Sequence, residues 1–278
     1  MDLFDHATQH ERARHAPLAA RMRPRSLDEF VGQQRIAGAG RLLQRALERG
    51  ALFSMILWGP PGSGKTTLAR LLAQRSGAHW EQLSAVAAGV AELRKQVKDA
   101  QERQKLHGAH TVLFIDEIHR WNKAQQDAVL PYVEDGTLTL IGATTENPSF
   151  EVNTALLSRC RVLTLAALNN DDIVQIVDRA LADTERGLGA LHVSLDDDAR
   201  DLLVDLANGD ARAALNALEV AALAALPAED GTRILLPDDI TEAYQRRHVQ
   251  YDKNGELHYD AISALHKSVR DSDPNGAL

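Results

Sequence analysis

Five short strand-like runs punctuate the first two thirds of the chain, at Leu52–Trp58, His79–Leu83, Val112–Asp116, Leu138–Ala143 and Val162–Leu165, with helical periodicity between them. Runs of this length, alternating with amphipathic helices, predict an α/β unit: a parallel sheet buried on both faces by helices. Ahead of the first strand, Ser26 and Glu29 fit a capping box that predicts a short helix. Gln34 to Gly50 predicts another, with Leu42, Leu43, Ala46 and Leu47 on its apolar side and Gly50 as its stop. Near residue 168 the pattern changes. Asp172–Arg186, Asp196–Ala207, Ala211–Leu226 and Asp238–His248 all repeat with helical period, joined by Gly, Asp and Pro signals. The expected organisation is a flexible, polar arm over 1–20, an α/β core over 21–168, an all-helical lid over 169–248, and a remainder over 249–278 with a helix pattern beginning at Tyr259.

The first strand runs into Gly59-Pro60-Pro61-Gly62-Ser63-Gly64-Lys65-Thr66-Thr67, which satisfies the phosphate-binding pattern G-x-x-x-x-G-K-[ST] in a strand–loop–helix setting. Its glycines allow the backbone N–H groups to turn inward on phosphates, and the helix from Thr66 to Gln74 adds the positive end of its dipole. Lys65 is the expected bridge between the outer phosphates. Thr66 is the expected hydroxyl ligand of Mg²⁺. Fifty-one positions after Lys65, the apolar run Val112-Leu113-Phe114-Ile115 ends in Asp116-Glu117. Asp116 is placed to hold the Mg²⁺ shell, with Glu117 placed to polarise the water that attacks a terminal phosphate.

Composition narrows the class without naming a substrate. The chain has 278 residues, 44% of them hydrophobic, a net charge of −8 and one cysteine, Cys160. A single cysteine excludes an internal disulfide and suits a reducing compartment, and no apolar run is long enough to span a bilayer, so the expectation is a cytoplasmic enzyme. The negative balance argues against a uniformly basic nucleic-acid binder, not against a local basic face. The eleven histidines make no zinc pattern, leaving Mg²⁺ as the expected metal. Asn122-Lys123-Ala124-Gln125 lacks the aspartate of a guanine-selecting motif, which points to ATP rather than GTP.

Several motifs in order resemble the AAA+ ATPases over about residues 21–248. Within these the chain resembles the replication-associated recombination protein A family, also called MgsA and related to Werner helicase-interacting protein, of the clamp-loader clade. The resemblance is carried by Asp116-Glu117-Ile118-His119-Arg120-Trp121-Asn122-Lys123, by Leu130-Pro131-Tyr132-Val133-Glu134-Asp135-Gly136, and by Gly142-Ala143-Thr144-Thr145-Glu146-Asn147-Pro148-Ser149-Phe150. It implies that Thr145, with Thr144 as alternative, is the sensor 1 residue. Arg159 in Leu157-Ser158-Arg159-Cys160 becomes an arginine finger serving a neighbouring subunit. Arg212 in Gly209-Asp210-Ala211-Arg212 becomes the sensor 2 residue of the lid, and Arg23-Pro24 with Val31-Gly32-Gln33 corresponds to the segment packed around the adenine.

The same resemblance implies a nucleoid-associated, DNA-dependent ATPase of replication-fork maintenance, recombination and repair, acting on DNA ends, gaps or junctions. Single-strand-binding protein and other replication proteins are its implied partners, and a homotetramer its implied assembly. That assembly is built by a C-terminal oligomerisation domain, of which Tyr251–Pro274 resembles only the beginning. Clamp-loader subunits and branch-migration ATPases share the Ala-Thr-Thr segment, but Glu-Asn-Pro-Ser-Phe argues against both. A scaffold that binds ATP without turnover is disfavoured by the intact Lys65, Asp116 and Glu117. Outside these motifs, Arg94, Lys95, Lys98, Arg103, Lys105 and His107 lie on one helix, interleaved with acids. They fit either a solvated face or a phosphate-contacting one.

Overall fold

The computed structural model describes residues 16–38, 42–48 and 52–251. Three short helices come first, α1 (Leu18–Arg21), α2 (Gln34–Ala37) and α3 (Leu42–Glu48). The α/β unit follows as β1 (Met55–Trp58), α4 (Lys65–Arg75), β2 (His79–Ser84), α5 (Val90–His107), β3 (Thr111–Asp116), α6 (Lys123–Glu134), β4 (Leu138–Thr144), α7 (Pro148–Glu151), α8 (Thr154–Leu157) and β5 (Arg161–Thr164). Beyond it lie α9 (Asn170–Ala182), β6 (Val193–Leu195), α10 (Asp197–Ala207), α11 (Ala211–Ala224), β7 (Arg233–Leu235) and α12 (Pro237–Tyr251).

The five strands of the larger sheet are all parallel, in the order β2-β3-β4-β1-β5. Their side chains alternate between two cores. Ile56, Leu113, Ile115 and Leu140 face one cluster with Leu93, Val97 and Val129, while Met55, Leu57, Val112, Phe114 and Ile141 face the other with Leu68 and Leu72. This two-sided burial explains why β1, β3 and β4 read as unbroken apolar runs, since successive residues point to opposite covered faces. Within the second cluster Trp80 stacks on Phe114, ring centroids 5.2 Å apart, and Arg70 lies over the indole at 5.3 Å.

The strand order also places the chemistry. β1 sits between β4 and β5, and from its end the chain crosses to the far edge at β2 before returning through β3 and β4. In such a sheet the crevice at the carboxyl ends, where the winding direction reverses, is the open place for a ligand. The turns after β1, β3 and β4 all emerge there.

The unit beyond residue 168 forms its own core, with Ile173 and Val177 of α9, Leu203 of α10, Leu218 and Ala222 of α11 and Ile240 of α12. Expected as all-helical, it contains in addition a two-stranded parallel sheet of β6 and β7, with Val193 opposite Arg233 and Leu195 opposite Leu235. Strands of three residues are too short to produce a readable alternation.

Three expectations upstream also change. The segment expected to be a flexible arm ends earlier: residues 18–21 are helical, and Leu18 and Met22 are buried in the core of the second unit. Its anchor is polar as well. Glu219 on α11 accepts a hydrogen bond from the Leu18 N–H at 2.8 Å and pairs with Arg21 at 3.0 Å. No helix begins at Ser26, where residues 25–29 form bends and turns. Glu29 there accepts from the Arg25 N–H and from Arg186 of the second unit, both at 3.1 Å, rather than completing a box with Ser26. The helix expected over 34–50 is described only as α2 and α3; residues 39–41 and the stop at Gly50 lie outside the described residues, as do residues 1–15 and the pattern from Tyr259.

Leu18, fully buried, tests the anchored segment. Leu18→Ala is expected to cost about 2–4 kcal/mol in denaturant unfolding, the range of a buried leucine truncation. A leucine on a solvent-exposed arm would change stability by under about 0.5 kcal/mol.

Candidate functional site

The loop after β1 is held by its flanking strands. Leu57 lies opposite Ala143 of β4 and Leu163 of β5, and the Gly59 N–H continues the ladder to the Thr144 carbonyl at 3.2 Å. The loop then curls. Gly62 has φ +68°, a left-handed conformation that favours glycine, and Gly64 is the left-handed N-cap of α4. Buried Ser63 closes the curl internally, its hydroxyl donating to the Pro60 carbonyl at 2.8 Å. Lys65 begins α4 and folds back, its Nζ donating to the carbonyls of Gly59 at 2.7 Å and Pro60 at 2.8 Å. Burial, with the Arg212 guanidinium adding to it against the opposing pull of Asp116, brings the Lys65 ammonium down to about 8.

β3 delivers Asp116 and Glu117 to the same edge. Glu117 adopts φ +52°, left-handed for a residue with a side chain, so the chain turns sharply out of the sheet into a 3-10 turn over Ile118–Arg120. Ile118 is fully buried beneath this turn, and the Trp121 indole donates to the Ala88 carbonyl at 3.1 Å, fixing the turn from behind. Glu117 has a loose ion pair with Arg120 at 3.7 Å.

β4 separates β3 from β1, so its tip lies between the acidic pair and the loop. Thr144 there is 1% exposed, and its hydroxyl meets His119 Nδ1 at 2.9 Å, the Glu146 N–H at 3.0 Å and the Glu146 carbonyl at 3.2 Å. That hydroxyl is committed to holding its own turn. Thr145 is exposed toward the cavity beside it.

Lys65, Asp116, Glu117, Thr145 and Arg212 converge on one cavity of about 570 Å³ between the sheet's carboxyl edge and the second unit. Pro61 to Thr67 line it with them, whereas Gly59 and Pro60 are not among its lining residues. Arg212 reaches it from the first turn of α11, whose N-cap Asp210 accepts from the Ala213 N–H at 2.9 Å. The two units touch here. A Cβ built on Gly62 would lie 2.0 Å from Asp210 Oδ1, so any side chain at that position would displace the second unit.

Three further residues shape this site: Arg23, which the resemblance placed near the adenine, Arg179, which sequence reading missed, and Asp210, which contacts Gly62 without lining the cavity. Arg23, which follows α1, lines the cavity, and burial, then the Arg70 and Arg212 guanidiniums, hold it below its ordinary value. Arg179 of α9 also lines it and donates to the Glu29 carbonyl at 2.6 Å. Asp210 carried a readable signal, as an N-cap one residue before an Ala-rich helix, but nothing in its neighbourhood of the sequence announces its contact with Gly62. Together Arg23, Lys65, Arg179 and Arg212 gather positive charge around a cavity that Asp116, Glu117 and Glu29 also line. Such an arrangement can hold a polyanion and a hard cation side by side.

Arg159 is not among the cavity residues. It ends the α8 turn, partly exposed, with Nε on Glu134 of α6 and a terminal nitrogen on the Ala155 carbonyl at 2.8 Å and the Ser158 hydroxyl at 2.9 Å. The neighbouring Cys160 is buried, its thiol pushed up to about 12 by desolvation. On α5, Arg94, Lys95, Lys98 and Lys105 are exposed, while Arg103 turns inward to Glu81 and Thr111. Among the described residues no helix is long and apolar enough to cross a membrane.

Known proteins share this architecture. The family profile described as the Holliday junction DNA helicase RuvB P-loop domain matches residues 22–177, and that of an AAA C-terminal domain matches residues 189–270. The chain is 52% identical over 262 residues to replication-associated recombination protein A of Escherichia coli K12, covering 94% of this chain and 58% of that protein. It is 53% identical over 268 residues to the protein of that name from Coxiella burnetii, covering 94% and 59%, and 40% identical to the ATPase WRNIP1 of Dictyostelium discoideum, covering 98% and 32%. The chain thus spans little more than half the length of the bacterial relatives. Among solved structures, the Thermotoga maritima RuvB Holliday junction branch migration motor superposes with a TM-score of 0.65 at 25% identity, covering 90% of this chain and 81% of that one.

The depressed Lys65 ammonium gives a pH signature. A phosphate seated against Lys65 favours its charged form, so binding above pH 8 requires proton uptake and weakens as pH rises. Nucleotide affinity is expected to be flat between pH 7 and 8 and to fall by up to about tenfold per unit above it. Lys65→Met should bind weakly and lose that slope, which titration calorimetry at several pH values would measure.

Proposed function

The chain belongs to the replication-associated recombination protein A family of AAA+ P-loop ATPases, and on that premise we propose that it binds ATP with Mg²⁺ in the cavity between its two units and hydrolyses it. The observation that carries this reading is the meeting of Lys65, Asp116, Glu117, Thr145 and Arg212, from four separate stretches of sequence, on one cavity. Lys65 leaves the Gly59 and Pro60 carbonyls to take the outer phosphates, and the N–H groups of the loop close around them. The donors offered to a cation are the Thr66 hydroxyl and the Asp116 carboxylate, both hard oxygens lining the cavity. They fit Mg²⁺, which takes few protein ligands when phosphates and water complete its shell. When bound, that ion neutralises charge on the transferred phosphoryl group.

Glu117 accepts a proton from the attacking water, its direction set by the left-handed backbone and the buried Ile118. Thr145 positions that water or the terminal phosphate, in preference to Thr144, whose hydroxyl is already engaged. Arg212 reports the terminal phosphate to the lid. Arg159, lying outside its own cavity on an exposed turn, serves the ATP of a neighbouring copy.

Turnover is coupled to remodelling DNA ends, gaps or junctions at replication forks, through a homo-oligomer that is tetrameric in full-length members. The exposed basic residues of α5 are the candidate phosphate contacts. The family membership favours this over a clamp-loader subunit or a branch-migration motor.

Glu117→Gln is expected to bind nucleotide nearly as wild type while turnover falls about 10²-fold or more, because the amide keeps the size and loses the base. Phosphate release at the wild-type rate would remove Glu117 from this role. Arg159→Ala alone should lose roughly 10³-fold in the assembled protein, as arginine fingers do. Mixed with Glu117→Gln subunits, it should recover part of that turnover, since intact sites then face intact arginines. A mixture no more active than its components, with mixed oligomers shown by native mass spectrometry of subunits carrying tags of different mass, would exclude action in trans.

A further inference from the structure

Five residues join the two units, Leu165 to Asn169 between β5 and α9. The connector is pinned at both ends by burial. Leu165, 1% exposed, belongs to the core under the sheet, while Leu168, 7% exposed, belongs to the core of the second unit. Between them Ala166 and Ala167 are exposed and lie in no strand or helix. Along this connector these two residues are where the angle between the units can change, since rotation at either end would pull a leucine from its core; the chain's other crossing, from Met22 in the second core to Leu27 and Phe30 beneath the sheet, has to follow.

One side chain grips that point. The Gln33 amide accepts a hydrogen bond from the Ala166 N–H at 3.1 Å and donates to the Ala166 carbonyl at 2.7 Å, occupying both backbone groups of a single hinge residue. Its Nε2 also lies 3.4 Å from the Ser63 carbonyl in the phosphate loop. Gln33 itself is at φ +57°, an uncommon, strained conformation for a residue with a side chain. The strain aims the amide at Ala166. The connector is also in close contact with both walls of the cavity: a Cβ on Gly59 would lie 2.4 Å from the Leu165 carbonyl, and one on Gly209 2.8 Å from that of Leu168.

We propose that Gln33 is a positioning residue that sets the angle of the second unit over the phosphate loop by clamping the backbone of Ala166. Through it, the segment ahead of the sheet, the phosphate loop and the hinge move as one body, which keeps Arg212 and Asp210 in register with Lys65. The role in turnover rests on the nucleotide-site reading above, whereas the clamp itself is tested without nucleotide.

Two variants separate the clamp from the strained backbone. Gln33→Gly removes the amide and relieves the left-handed strain; Gln33→Asn keeps an amide on a residue tolerant of that conformation, but one methylene too short to span both Ala166 groups. Hydrogen exchange on the nucleotide-free chain is expected to show residues 165–168 and the first turn of α11 exchanging about tenfold faster in both variants, with β1, β3 and β4 protected as in wild type. ATP turnover should then show kcat reduced about five- to tenfold with KM within about threefold, because the phosphate seat is intact and the lid's placement is not. Unchanged exchange over 165–168 in both variants would overturn the clamp. Acceleration spread evenly over the sheet would make Gln33 a general fold residue, and faster hinge exchange with an unchanged kcat would remove its positioning role. Absence of ATP turnover in the wild-type chain would instead count against the nucleotide-site reading, with the exchange result still deciding the clamp.

Discussion

The site depends on a parallel sheet whose three central strands have no wet face. With β1, β3 and β4 buried on both sides, their backbone groups must be paired along the ladders, and polar side chains have nowhere to go except the strand ends. The order β2-β3-β4-β1-β5 then gathers three of those ends, and with them the lysine, the two carboxylates and the paired threonines. The covered faces supply the stiffness that holds such groups in place, and the second unit closes the crevice from above.

Four cationic side chains meet at the cavity, where burial, then neighbouring guanidiniums, depress Arg23 and burial above all depresses Lys65. A polyphosphate held there would favour their charged forms. Asp210 acts in the same direction: it lies against Gly62 and, with Asp116 and Glu117, favours the charged form of Lys65. Binding energy for a nucleotide thus has a structural counterpart already present, the seating of the lid's own carboxylate on the phosphate loop.

How legible each part was depended on whether its cause is local in sequence. The loop from Gly59 to Thr66 and the acidic pair after β3 were readable because backbone curl and strand-end placement are determined by neighbouring residues. The central strands β1, β3 and β4 were readable for the same reason, through their apolar runs. The β6–β7 pair was not, because three-residue strands carry no period and are created by the helices around them. Leu18 read as part of a polar arm because one leucine among charged residues shows no pattern; what orders it is Glu219, two hundred positions away. Arg179 belongs to this long-range class, as does the contact of Gln33 with Ala166. Glu29 shows the opposite error, a local motif that fits a capping box but is used instead for an ion pair with Arg186.

Cys160 has a practical consequence. It is the one cysteine of the chain, buried beside α8, with a thiol pushed up to about 12. Buried and with its thiolate disfavoured, it competes poorly with an exposed thiol for an electrophile at neutral pH. The native sequence is therefore a ready background for thiol-directed probes. A pair of cysteines introduced on exposed positions of α5 and α10 could carry spin or fluorescent labels across the hinge with no native residue replaced beforehand, making the angle between the two units directly visible in solution.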